Sequence, residues 1–226
     1  IANKKGELVN GADQIISDER NKGNIIKELS KSMIEIIAPP ASELSDLEKN
    51  FRKEVSTAIQ IAEDNGLVLY PSTTVGPESN PISNINPRYA SKRSILGDYK
   101  RNLEHHIAGT HVHVDKLENE KLFNQYLIMN AMDPIFTLMS STPFFLGNNT
   151  LKDYRVELYR NKIFEDFPLQ GQLLDYPKSL EEAHERQEIT YNQWMDECIK
   201  KGFTGEGYNI LNTCWGPLRF SKKTIE

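Results

Sequence analysis

"AGTHVHVD", residues 108–115, is the stretch on which the fold turns. Polar and apolar residues alternate along "HVHV", the pattern of a β-strand. Side chains two apart on a strand point to one face. His111 and His113 are therefore expected on one face, and Val112 and Val114 on the other. Two neighbouring imidazoles can bind a metal, hold a phosphate, or hydrogen-bond within a core. The glycine just ahead of the pair tilts the reading toward a site.

Outward from this strand, the pattern alternates between helices and isolated strands. "RYASKRSILGDYKRNLEHH" (88–106) reads as a helix weakened at Gly97. A helical stretch over 118–141 places Phe123, Leu127, Ala131 and Leu138 roughly on one face, and Pro134 should kink or split it. "DYRVELYRNKIFEDF" (153–167) is a further helix, on which Arg155 and Arg160 lie five apart and should splay. The helix from Ser179 to Lys200 opens on the capping box "SLEE". Its inner face runs through Leu180, Ala183, Gln187, Tyr191, Trp194 and Cys198. "TCWGPLRFSKKTIE" (213–226) is turn and strand material.

Toward the N-terminus, "IAN" and "ELV" read as a hairpin around the turn "NKKG". "SMIEIIAPP" (32–40) is a strand stopped by its prolines, with Glu35 inside an apolar run. Glu35 either marks a solvated face or faces a cleft as a metal ligand, since an unpaired buried carboxylate is costly. A long amphipathic helix follows, with "SDLE" (45–48) as its capping box and Gly66 as its stop. Its expected core stripe is Leu44, Leu47, Phe51, Val55, Ala58, Ile59 and Ala62. "LVLY" (67–70) is a short strand. Residues 71–87 hold four prolines and no period, as expected of a flap at a cleft mouth. Together these elements predict an α+β or α/β domain with helices packed on a sheet.

The composition excludes several classes. With 226 residues, 38% hydrophobic and 26% charged, the chain suits a soluble globular domain with a sizeable core. A net charge of −5 argues against nucleic acid and anionic membranes as partners. The two cysteines, Cys198 and Cys214, form neither a metal pattern nor a disulfide framework, so a reducing cytoplasm is expected. Residues 1–30 hold no signal-peptide pattern, and no apolar run has the length of a membrane span. The ends read as cuts through a sheet, so residues 1–226 are expected to form a single catalytic domain truncated at both ends.

The polar residues of interest are Glu28, Glu35, His111, His113, Arg155, Arg160, Arg219 and Glu226. Carboxylates with histidine suit a divalent metal, and arginines suit phosphate or carboxylate. There is no nucleophile elbow, no dinucleotide fingerprint and no Walker loop. This set, without a protein nucleophile, fits metal-assisted phosphoryl transfer.

Several segments, in order, resemble the carboxylate–amine ligases of the glutamate–cysteine ligase type 2 family. They are "ANKKGELVNGADQI", "KELSKSMIEIIAPP" with glutamates at 28 and 35, "NPRYASKRSILGDY", "GTHVHVD", "MSSTPFFLGNNTLKDYRVELYR" and the closing "TIE". The resemblance covers nearly the whole chain. It implies a glutamine-synthetase-like α+β fold, its mostly antiparallel sheet forming a bowl with helices on the outer face. It also implies ATP and Mg2+. A substrate carboxylate would attack the γ-phosphate, and an amine would displace phosphate from the acyl phosphate. γ-Glutamylcysteine, the first product of glutathione biosynthesis, is one product the family suggests. By this resemblance Glu35, Glu28, His111 and Glu226 are the metal ligands, and His111 and Arg219 contact the nucleotide. Arg160, with Arg155 as its neighbour, neutralises phosphate or carboxylate, and His113 joins the catalytic set. The partners implied are small molecules, an amino-acid carboxylate and an amine; a homo-oligomer is compatible with this reading. Two rivals stand beside it. A metallohydrolase would use the His-x-His strand for zinc, but only His105, His106 and His184 remain to complete such a site. A non-catalytic relative of the ligase fold would bind ATP without releasing phosphate.

Overall fold

The computed structural model describes residues 1–74, 81–118, 120–140 and 154–225. It divides into two compact units, Ile1–Ile85 and Asn86–Glu226. The fold is α+β. Among the described residues, strands form three separate antiparallel pairs.

The first unit opens with β1 (Ala2–Asn3), which pairs with β4 (Leu67–Val68). The "NKKG" turn is present, closed by the Gly6 N–H donating to the Asn3 carbonyl, but "ELV" returns only as a bridge between Ala2 and Leu8. After the short helix α1 (Ala12–Ile16), β2 (Ile25–Lys27) pairs with β3 (Ile34–Ile36). The strand expected over 32–40 is thus limited to its centre. Helix α2 spans Leu44–Asp64, and Gly66 follows it in the left-handed region, φ 70°, as its stop requires.

Two expectations for α2 are corrected. Its cap is Glu43, with no side-chain hydrogen bond, so "SDLE" does not act as a capping box. The stripe is buried only in its second half. Ala58, Ile61 and Ala62 meet a core of Ile1, Ala12, Ile15 and Ile25, whereas Leu44, Leu47, Phe51 and Ile59 are exposed. Periodicity fixes which residues share a face, but the extent of that face that is covered depends on what lies opposite.

In the 71–87 segment, residues 75–80 lie outside the described residues. Its second half runs beside the β2–β3 turn. Lys31 N–H donates to the Ile82 carbonyl (2.8 Å), Asn84 N–H donates to the Leu29 carbonyl (3.0 Å), and the Asn84 side chain donates to the Glu28 carbonyl.

The second unit begins with α3 (Pro87–Glu104), capped by the Asn86 side chain and started by Pro87. Gly97 breaks its regularity at φ 83°, ψ 162°. The strand β5 is only Val114–Asp115, paired with β6 (Thr224–Ile225). Helix α4 (Glu120–Ala131) is followed by α5 (Asp133–Met139), so Pro134 sits in the first turn of a new helix, as its missing N–H favours. Asn130 is the buried residue of α4, and Leu122, Tyr126 and Met129 pack partly buried on Ala183, Phe220 and Ile225; of the expected face, Phe123 and Leu127 are half-buried, while Ala131 and Leu138 are exposed. Helix α6 (Tyr154–Val156) runs into a π-helical segment, Glu157–Ile163. Helix α7 (Leu180–Lys200) is capped by Ser179, whose oxygen accepts from Glu182 N–H, and buries Ala183, Thr190, Trp194 and Cys198. Cys198 is fully buried, which bears out its reading as core. The core of this unit joins Leu96 and Leu103 to Tyr154, Leu158, Phe164, Trp194 and Tyr208. Among the described residues, no helix is long and apolar enough to cross a membrane.

Candidate functional site

The second unit carries most of the candidate residues, and its site grows from α3. The break at Gly97 lets two helical pieces turn Lys92, Arg101 and Glu104 inward, all three buried. One oxygen of Glu104 lies 2.5 Å from Lys92 Nζ and the other 2.5 Å from Arg101 Nη1. The Lys92 ammonium also sits 3.9 Å from the centre of the Trp215 ring, and Arg101 lies over Tyr89. Burial lowers the Lys92 pKa, against the pull of Glu104. The cluster thus holds two cations for one carboxylate.

Next along the chain, burial pushes the His105 imidazole down to about 4, helped by Arg101. A folded-state pKa below the ordinary 6.5 means that the unfolded chain takes up the proton first as pH falls. Stability supplied by neutral His105 is therefore complete above about pH 6.5 and lost progressively as pH drops toward 4. The expected result is a lower urea midpoint at pH 5 than at pH 7, with the difference reduced in His105→Gln. An unchanged difference in that variant would assign the acid sensitivity elsewhere.

The π-helical segment brings Tyr159 against this cluster. Burial raises the Tyr159 pKa, Glu104 raises it further, and Arg155, Arg219 and Arg160 oppose the rise. Of these arginines, Arg155 has its guanidinium 6.0 Å from the centre of the half-buried Tyr159 ring. Arg155 and Arg160 reach different partners, as the expected splay requires. Arg160 Nη2 donates to Asp133 Oδ1 at the start of α5 (2.7 Å). Arg155 Nε donates to the Ala108 carbonyl (2.7 Å). Arg219 is half-buried and also pulls against the burial that pushes Cys214 up to about 12.

The histidine segment is extended and exposed, and only its end joins the β5–β6 ladder. The His111 and His113 rings stack with centroids 6.4 Å apart and 26° between planes, as the expected shared face requires. His113 Nδ1 lies 3.4 Å from Thr224 Oγ1 on β6. Val114 instead helps line an apolar groove with Leu117, Ile128 and Met129. Glu226 lies outside the described residues.

Glu28 and Glu35 belong to the first unit. Ile26 and Glu35 are partners across the β2–β3 ladder, and Glu28 follows Ile26 by two. β2 ends at Lys27, so Glu28 lies just beyond the ladder that sets the face of Glu35. Glu35 is exposed while Ile34 and Ile36 pack on the core, and Glu28 is half-buried and accepts from Leu29 N–H. Among the described residues, no three histidine, cysteine, aspartate or glutamate side chains gather as a metal cage.

The second unit offers several guanidinium and ammonium groups, of which Arg155 reaches the chain just ahead of the exposed imidazole pair. Arginine forks in a partly dry setting recognise phosphate and carboxylate oxygens. Sequence reading missed Lys92, Arg101, Glu104, Tyr159 and Asp133. The segment "SKRSILGDYKRNLE" reads only as a helix weakened at Gly97; the spacing of Arg101 and Glu104, three apart, is the available signal.

A family model described as glutamate–cysteine ligase family 2 matches residues 2–199. No curated protein and no solved structure gives a match.

Proposed function

This chain belongs to glutamate–cysteine ligase family 2, and from that premise we propose that the intact protein is an ATP- and Mg2+-dependent carboxylate–amine ligase. What supports the proposal is the family match over residues 2–199, together with a set of guanidinium groups, Arg155, Arg160 and Arg219, carried by the second unit. Such a set suits a reaction in which the protein positions groups and neutralises charge instead of supplying a nucleophile. A substrate carboxylate attacks the γ-phosphate of ATP and ADP leaves. An amine then attacks the acyl carbon, inorganic phosphate departs, and the amine gives up a proton as the amide forms. Glutamate and cysteine are the substrates suggested by the family name, and a bowl-shaped sheet is the larger architecture we assign to the intact protein.

The donor types fit the two groups the reaction needs. Glu28 and Glu35 supply carboxylate oxygens from one hairpin, and magnesium takes few protein oxygens while keeping water and phosphate. When bound, Mg2+ would neutralise phosphate charge. In the second unit, Glu226 and His111 keep the metal or phosphate roles that the family resemblance implies. Arg160 holds its plane against Asp133 and turns its remaining donors to phosphate or substrate carboxylate.

The test is phosphate release by the full-length protein with ATP, glutamate and a panel of amines. Amine-dependent release supports the ligase. ATP binding without release would indicate a non-catalytic relative, and one tightly held zinc with ATP-independent hydrolysis would indicate a metallohydrolase. In the same assay His111→Ala is expected to lose more turnover than His113→Ala, whose ring already borders Thr224. The reverse order would exchange their roles.

A further inference from the structure

We infer that Arg155 is a positioning residue and that Gly109 is the seat that lets it hold the histidine segment in place. Arg155 Nε donates to the Ala108 carbonyl at 2.7 Å, across 47 residues of chain. A Cβ built on Gly109 would stand 2.7 Å from Arg155 Nη2 and 3.6 Å from its Cζ. Gly109 does not have the positive φ of the turn glycines, so its backbone accepts an L side chain. The guanidinium is what excludes a side chain at this position. The same guanidinium lies 6.0 Å from the centre of the Tyr159 ring, which helps fix its plane.

The consequence follows from where the segment is held. Residues 110–113 are exposed and outside the β-ladder. At one end, the Arg155 contact fixes Ala108 and Gly109. At the other, Val114 pairs with Ile225. His111 sits mid-span between the two anchors, so the position of its ring depends on both. Partners that orient a ligand typically change metal affinity or activity by about 10–100-fold when removed.

Two variants separate this role from simple loss of charge. Gly109→Ala leaves the guanidinium in the protein but displaces it, and the clash is with the far end of a flexible side chain, so the fold should survive. Arg155→Lys keeps the charge but loses the planar donor pair. The first readout is the set of imidazole resonances of His111 and His113 in the protein without metal or nucleotide. Both variants are expected to move the His111 signals, and the double variant to add little, because both act through one contact. Unmoved His111 signals in both single variants would overturn the proposal, as would fully additive shifts. The second readout rests on the ligase reading. The Mg2+ concentration for half-maximal phosphate release should rise about tenfold in Gly109→Ala with an unchanged melting temperature. A lowered melting temperature with an unchanged Mg2+ requirement would reduce the contact to a structural one and overturn the positioning role. Shifted resonances in a protein that releases no phosphate would instead count against the ligase reading while leaving the clasp standing.

Discussion

Replacing Glu104 with glutamine is expected to destabilise the second unit by about 3–5 kcal/mol, the range for breaking a buried pair from one side. Glu104 is 4% exposed and is the shared partner of Lys92 and Arg101, themselves almost fully enclosed. Without its charge, both cations lose their counter-ion in a dry setting, and Lys92 can respond by releasing its proton, since burial already lowers its pKa. Arg101 cannot, because a guanidinium stays protonated in proteins. Removing Lys92 as well, as Lys92→Met, should therefore recover only part of the loss. Urea unfolding of the three variants measures this. A loss below about 1 kcal/mol for Glu104→Gln would mean that solvent reaches the cluster, since exposed pairs contribute no more than that.

The same cluster shows which parts of the molecule were legible in the sequence. Local backbone rules read well. Gly66 ends α2, Gly97 breaks α3, Pro134 opens α5 and Ser179 caps α7, because each depends on what a single residue allows its own backbone. The shared face of His111 and His113 also follows from local geometry. Contacts between distant elements read poorly. Lys92, Arg101 and Glu104 look like surface charges in a one-dimensional pattern, and the Phe164 and Trp215 rings that meet the Lys92 ammonium arrive from later elements. The exposed half of α2 is the mirror case, since Leu44, Leu47 and Phe51 have the right period and nothing of the first unit's core opposite them. The π-turn is a further case: it depends on one extra residue per turn, which no apolar period records, and it carries Tyr159 and Arg160.

That segment sets the last expected result. Arg160→Ala in the intact protein should lower turnover by roughly 10²–10³, the usual cost of losing one preorganised electrostatic contact to a developing charge. ATP binding should weaken much less, because ground-state phosphate is also met by Arg219 and metal in the proposed reaction. The fold should tolerate the change. Asp133, left without its partner, sits in the first turn of α5, where the backbone N–H groups favour a carboxylate. Arg160→Lys should rescue little. An ammonium can pair with Asp133, but it cannot hold that carboxylate along one edge and present a planar fork along another. Steady-state phosphate release, with nucleotide affinity measured separately, divides the effect between turnover and binding. Near-normal turnover in Arg160→Ala would remove it from the reaction and leave the pairing with Asp133 as its whole function. Equal losses in turnover and ATP affinity would recast it as a ground-state phosphate contact.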